Sequence, residues 1–404
     1  MRQRVVGLVV TGGRGPLRDL AADEDAALTP FAGKYRFVDL ALATLVNSTI
    51  DAVYVAASRP SPRLRTHLAA AVRPLAAVRR PFPILPHGAA DVAASRAARA
   101  LRAAIGCGHL VRNHAADTVI VLTADHVLQI DARRLLAAHR AVHADVTLCA
   151  LPLARADMTD RTVLDAVDGR VCAVGTGPTG FGTGPGVGLA WTGDLVIAAS
   201  ALPALATLVP SERDADDAAM LAPLVRALRV AAHDPSDGNR RRAFWHDPTS
   251  VEAYYDTQMN LCTPRPAFDL HDPAWPLCAA ASGSGPAKVV ADGAGRPGQT
   301  LNALVSDGVL VRGGVVVNAV LGHGVVVESG AEVEDAVLFD GCRIGRGARV
   351  RRAVVGVGAV IGDAGEIGFG RSPASPARVL PSGLTLVPAG PPTLDERSLA
   401  AAGV

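Results

Sequence analysis

The sequence predicts an α/β chain in two parts, a Rossmann-like sandwich followed by a parallel β-helix. Two observations carry the prediction. Strand-like apolar runs alternate with alanine-rich helical stretches from Val5 to about Val230, and apolar residues then recur every six positions towards the C-terminus. The first pattern is that of a parallel sheet covered by helices, and the second is the mark of stacked β-coils. A chain of 404 residues has room for two or three domains of roughly 100–200 residues each.

Taken in order, the predicted strands of the first part are Val5–Val10, Ala52–Ala56, Val119–Leu122 and Val146–Leu151. Apolar residues at helical spacing place helices over Leu40–Val46, Val92–Ile105 and Ala132–Val142. Periodicity alone leaves another doubly wound α/β fold open. A Pro-rich connection (Pro264, Pro266, Pro273, Pro276) and the Gly/Ser-rich stretch Ala279–Pro286 follow. The six-residue period then runs through Val309, Val315, Leu321, Val327, Val333 and Phe339, shifts at Ile344 and Val350, and resumes at Ile361 and Ile367. A small antiparallel sheet is the alternative reading of that segment. The expected division is an α/β domain over 1–262, a linker over 263–300 and a β-helix over 301–404.

Composition excludes several functions. The formal net charge is +2 and aromatics make up 4% of the chain, so neither a phosphate-backbone footprint nor a base-stacking platform is expected, and nucleic acid is not an expected partner. No run approaches the roughly 20 apolar residues of a membrane span. Met1-Arg2-Gln3-Arg4 leads straight into a strand without a secretory apolar region, which points to a soluble, cytoplasmic protein. The six cysteines are scattered without zinc or redox spacing. Only Lys34 and Lys288 are lysines, so positive charge is otherwise written as arginine.

The chemistry-bearing segment follows the first strand. In Thr11-Gly12-Gly13-Arg14-Gly15-Pro16-Leu17-Arg18 the glycines permit tight turns and let amide N–H groups approach phosphate oxygens. It is neither a P-loop nor a dinucleotide fingerprint, and by itself it is compatible with a plain connection. Asp125 stands just past the strand at Val119–Leu122, at the carboxyl edge where open α/β sheets bind ligands; an ordinary strand-end aspartate is the alternative.

The longer series of motifs resembles the bacterial ADP-glucose pyrophosphorylases. It comprises Thr11–Gly15, Pro30-Phe31-Ala32-Gly33-Lys34-Tyr35-Arg36-Phe37-Val38-Asp39, Leu45-Val46-Asn47-Ser48, Gly88-Ala89-Ala90-Asp91 and Leu122-Thr123-Ala124-Asp125-His126. Phe244-Trp245-His246-Asp247-Pro248-Thr249, Ala253-Tyr254-Tyr255 and Trp275-Pro276 complete it. The resemblance implies a GT-A-type nucleotidyltransferase domain, a left-handed β-helix, and formation of ADP-glucose and pyrophosphate from ATP and glucose 1-phosphate. It implies that Asp125 and Asp247 hold Mg²⁺, that Arg18 and Arg36 join Asp125 in catalysis, and that Gly12, Gly13, Arg14, Gly15, Gly88 and Asp91 meet the nucleotide. Gly188 and Asp165 are the implied sugar-phosphate contacts, and a homotetramer is the implied assembly.

The chain also departs from the family pattern. Ala26 and Gly177 stand where the family carries phosphate-binding lysines, and Gly186-Val187-Gly188 replaces Ser-Met-Gly. Arginine would have kept the charge and added bidentate phosphate contacts, whereas alanine and glycine keep neither. A regulatory or scaffolding subunit of an active homologue is therefore the alternative to an enzyme. Asp23-Glu24-Asp25 predicts a weak response to anionic sugar-phosphate activators.

Overall fold

The computed structural model describes residues 4–13, 15, 17–21, 25–50, 52–57, 61–71, 83–86, 95–177, 187–210, 215–235, 244–277, 279–280, 283–370 and 377–391. Tertiary contacts divide the chain into two compact units that do not follow the linear order. The first contains Met1–Arg14, Leu40–Pro60 and Phe82–His246; the second contains Gly15–Asp39, Ser61–Pro81 and Asp247–Val404.

The first unit is built on a nine-stranded sheet. Its strands are β1 (Val5–Val10), β2 (Ala52–Ala57), β3 (Ile84–Pro86), β4 (Thr118–Thr123), β5 (Val146–Ala154), β6 (Thr162–Val167), β7 (Arg170–Thr176), β8 (Val187–Ala198) and β9 (Val230–His233). Their spatial order is β3-β2-β1-β4-β8-β5-β9-β7-β6. β3, β2, β1 and β4 are parallel, as the alternating pattern predicts. β9 is also parallel to β5, but the other strands correct that prediction, because β8 runs antiparallel to both β4 and β5, and β6 and β7 form a hairpin. For the β6–β7 hairpin the physical reason is local: Asp168-Gly169 adopts positive φ on both residues (+50° and +78°), the backbone of a tight hairpin turn, which a parallel crossover does not need. β1 is buried at every position, as a strand covered on both faces must be. Helix α1 (Arg96–Gly106) packs Leu101 and its alanines into a core with Val6, Leu8, Val119, Val121, Leu148, Leu195 and Ile197.

The second unit contains the coils. β10 (Gln299–Val305), β11 (Val315–Leu321), β12 (Glu332–Leu338) and β13 (Arg349–Val355) form one parallel ladder, and the short strands Lys288–Val290, Leu310–Arg312, Val326–Val327, Arg343–Ile344 and Val360–Ile361 form another. The ladder thus begins at Lys288, inside the stretch expected to be linker. Val316, Val333, Val350 and Ile367 stack in register, seventeen residues apart. Seventeen is two steps of six and one of five. The five-residue side runs from Val316 to Leu321 and from Val333 to Leu338, and each side carries one left-handed residue, Asn318 or Asp335 (φ +49° and +48°). A strict count of six therefore slips by one there. Val315, expected inside, is 36% exposed, and Val316 takes the core position at 0%.

Several family-like segments meet within this same unit. Phe31 packs on Phe37 and Phe268 at ring separations of 6.1 and 5.9 Å. On α2 (Val251–Leu261), the Tyr254 hydroxyl donates to the Pro30 carbonyl at 2.6 Å, Gln258 Oε1 accepts from the Ala32 amide at 3.0 Å, and the Tyr255 hydroxyl donates to the Asp335 carbonyl at 2.8 Å. A side chain on Gly33 would place its Cβ 2.7 Å from the Leu321 carbonyl oxygen, and Gly33 has φ +72°, so only glycine fits.

Candidate active site

The site in the first unit assembles at the carboxyl ends of β1 and β4. These two strands are neighbours, but the chain leaves β1 for β2 on its other side, so their junction is a topological switch point. The Thr11 amide donates to the Ala56 carbonyl and the Ala124 amide to the Val10 carbonyl, both at 2.9 Å, which pins both loops to the sheet edge. Gly12 and Gly13 then turn at φ +100° and +92°. The Thr11 hydroxyl is buried without a hydrogen-bond partner among the described residues.

Asp125 lies at this edge with its side chain 12% exposed. Arg96 Nε is 3.0 Å from Asp125 Oδ1, Arg99 donates to Oδ2, and His126 Nδ1 stands 3.2 Å from Oδ1. Burial would raise the Asp125 pKa, but Arg96 and Arg99 overcome it and hold the carboxyl well below the usual range. Arg96 and Arg99 occupy adjacent turns of one face at the start of α1, a spacing at which side chains converge. Ser95 caps that helix by accepting from the Ala98 amide at 3.3 Å, and Asp217 accepts from the Ala97 amide at 2.7 Å.

His126 links Asp125 to a further carboxylate, Asp194. Asp194 is fully buried; its carboxylate accepts from the Thr123 amide at 2.9 Å and the Thr192 hydroxyl at 2.8 Å, and lies 3.0 Å from His126 Nε2. Burial disfavours charge on His126, yet the Asp194 carboxylate and hydrogen bonds to Asp125 and Asp194 raise its pKa to about 9. The ordinary value is 6.5, so the imidazolium contributes stability that is complete below pH 6.5 and is lost as pH rises towards 9. The contribution is about 3 kcal/mol at most. The melting-temperature advantage of the wild type over Asp194→Asn should therefore narrow between pH 6.5 and 9.5; an advantage independent of pH would show that His126 does not titrate in that window.

The remaining sequence-derived residues are distributed as follows. Gly188 of β8 and Asp165 of β6 occupy adjacent positions of neighbouring strands, one step beyond the Leu189–Leu164 pair. Gly177 has φ +79° and open space around an added Cβ. In the second unit, Ala26 is 5% exposed in a single helical turn that Asp25 caps. Arg36 pairs with Asp340 and Lys34 with Asp307 (3.2 Å), both on the coils. Arg18 pairs with its exposed neighbour Asp19. Gly15 packs against Ala26. Asp247 opens the third segment of the second unit, directly after the strand Phe244–His246, whose last residue pairs with Val127. Arg14, Gly88 and Asp91 lie outside the described residues.

Sequence reasoning missed Arg96, Arg99, Gly193 and Asp194. A pair of arginines three apart, just after the Gly88–Asp91 segment, was the available signal.

Asp125 offers the hard oxygen ligand that divalent cations such as Mg²⁺ take, but both of its oxygens face nitrogen donors here. Among the described residues no group of three His, Cys, Asp or Glu is arranged to hold a metal. None of the described helices is long and apolar enough to cross a membrane.

A glycine loop and a strand-end aspartate at the switch point of this sheet, with parallel β-coils in the same chain, define a nucleotidyltransferase carrying a hexapeptide-repeat domain. Residues 6–160 match the nucleotidyl transferase family and residues 285–387 a GlmU-like C-terminal hexapeptide family. Nucleotidyl transferases generally use a divalent metal. The chain is 32% identical over 386 residues to a glucose-1-phosphate adenylyltransferase of Frankia casuarinae, covering 89% of this chain and 88% of that one. A protein of the same name from Parafrankia sp. is 32% identical over 85% of this chain and 87% of its own, and one from Deinococcus radiodurans 29% over 92% and 94%. The chain belongs to the glucose-1-phosphate adenylyltransferase family.

Proposed function

We propose that the chain transfers the adenylyl group of ATP to glucose 1-phosphate. A phosphate oxygen of the sugar phosphate attacks the α-phosphorus, the bond to the β-phosphate oxygen breaks, and pyrophosphate leaves. The nucleophile is already an anion, so the protein has to position and neutralise more than move protons. The observation that carries this reading is the pairing of the Gly12–Gly13 turn with Asp125 at one sheet edge, in a chain with family-wide relatives of that activity.

In this reading Gly12 and Gly13 accept the triphosphate, and Gly188 and Asp165 orient the sugar hydroxyls. Asp125 and Asp247 are the proposed ligands of Mg²⁺, which, when bound, neutralises charge between the phosphates. A homotetramer is the proposed assembly.

Purified chain supplied with Mg-ATP and glucose 1-phosphate should release pyrophosphate and form ADP-glucose, read by a coupled phosphate assay and by chromatography. A rate equal to the enzyme-free control across the common nucleoside triphosphates would eliminate this proposal and favour a non-catalytic subunit.

A further inference from the structure

We infer that Arg96 and Arg99 are a transferable counter-ion pair: they neutralise Asp125, and move to the phosphates of a nucleoside triphosphate when one occupies the Gly12–Gly13 turn. They thereby supply in arginine the cationic charge that Ala26 and Gly177 do not. This inference rests on the function proposed above.

Three features of the first unit support it. The Arg99 guanidinium lies flat against the glycine turn, with Cζ, Nη1 and Nη2 each 2.9 Å from where a Gly13 Cβ would stand. A phosphate bound by the turn amides would therefore meet that guanidinium directly. Arg96 passes over Gly193, which has φ +110° in a bulge of β8, and its Cδ is 2.3 Å from the position of an added Cβ. The strand is glycine where this arginine crosses, so the fold makes room for it. Both guanidiniums converge on Asp125, the residue proposed to hold the metal. The two guanidiniums occupy acceptor sites on both Asp125 oxygens, and their positive charge opposes a divalent ion at the same carboxylate.

The electrostatics give the exchange a direction. A triphosphate carries more charge than one carboxylate and accepts bidentate contacts from the guanidinium fork. Each arginine that turns to phosphate uncovers an Asp125 oxygen for the cation. Nucleotide and metal should then bind cooperatively, and by linkage each must tighten the other by the same factor.

The test measures binding in the full chain. ATP and inorganic tripolyphosphate are titrated calorimetrically in EDTA, and Mn²⁺ is titrated by electron paramagnetic resonance without nucleotide, in wild type, Arg99→Gln and Arg99→Lys. Expected results are at least tenfold weaker ATP and tripolyphosphate binding in Arg99→Gln, with partial recovery in Arg99→Lys. Mn²⁺ binding without nucleotide should tighten at least tenfold in Arg99→Gln, because Asp125 is uncovered. Circular dichroism checks folding, and Arg99→Lys, which keeps the charge, is the second variant should Arg99→Gln fold poorly. Polyphosphate and Mn²⁺ affinities within twofold of wild type in both variants would overturn the inference while leaving adenylyl transfer untouched. Arginine-dependent tripolyphosphate binding without any ADP-glucose formation would support the pair and remove the proposed function.

Discussion

Asp125→Asn should lower the rate of pyrophosphate release by on the order of 10²–10³, the loss typical of one electrostatic contact that acts in the transition state. The amide keeps the shape and can still accept one hydrogen bond, but it carries no charge for Arg96, Arg99 or a cation. The same substitution should cost about 1–3 kcal/mol of stability, because charge-assisted contacts to two largely buried guanidiniums are lost. Turnover must therefore be normalised to the folded fraction, read by near-ultraviolet circular dichroism. A folded Asp125→Asn chain that kept more than a tenth of the wild-type rate would remove Asp125 from the mechanism. Since its carboxyl is held well below the usual range, its charge should not limit the rate anywhere between pH 5 and 9.

The second large effect is expected at Gly193, far from Asp125 in sequence. Its backbone is left-handed at φ +110°, and a methyl group there would fall 2.3 Å from Arg96 Cδ and 2.7 Å from Thr123 Oγ1. Gly193→Ala should lose about 2–4 kcal/mol through backbone strain and overpacking, seen as a melting temperature lower by several degrees. It should also push Arg96 off Asp125. Combining it with Arg96→Ala frees part of the space, so the double variant should be less destabilised than the sum of the singles. Additive losses would show that backbone strain alone, and not the arginine's path, makes position 193 a glycine.

Much of the framework was legible before any coordinates. β1, β2, β4 and β5 begin where apolar runs predict them, and the switch from helical spacing to hexads marks the coils. The glycine turn and Asp125 were readable because strand ends at a parallel sheet edge are where such chemistry sits. The slip at Val315 shows the limit: a mean period near six conceals a five-residue side, and a single left-handed residue decides which valine points inward.

The partners of charged side chains were a different matter. Lys34 and Arg36 sit in the Pro30–Asp39 segment that carries part of the family resemblance, and they pair with Asp307 and Asp340, some three hundred residues away in sequence. Arg96 and Arg99 carried no motif, yet both reach Asp125, and Arg99 also lies against the glycine turn.

The sequence by itself determined the class of fold, the position of the glycine turn and the identity of the strand-end carboxylate, because each follows from local periodicity and backbone permission. Only the tertiary structure decided which cations serve that carboxylate. Coulomb attraction depends on the distance between side chains, and at Asp125 that distance is set by the approach of α1, the end of β4 and the bulge of β8, three segments that no local pattern in the chain relates to one another.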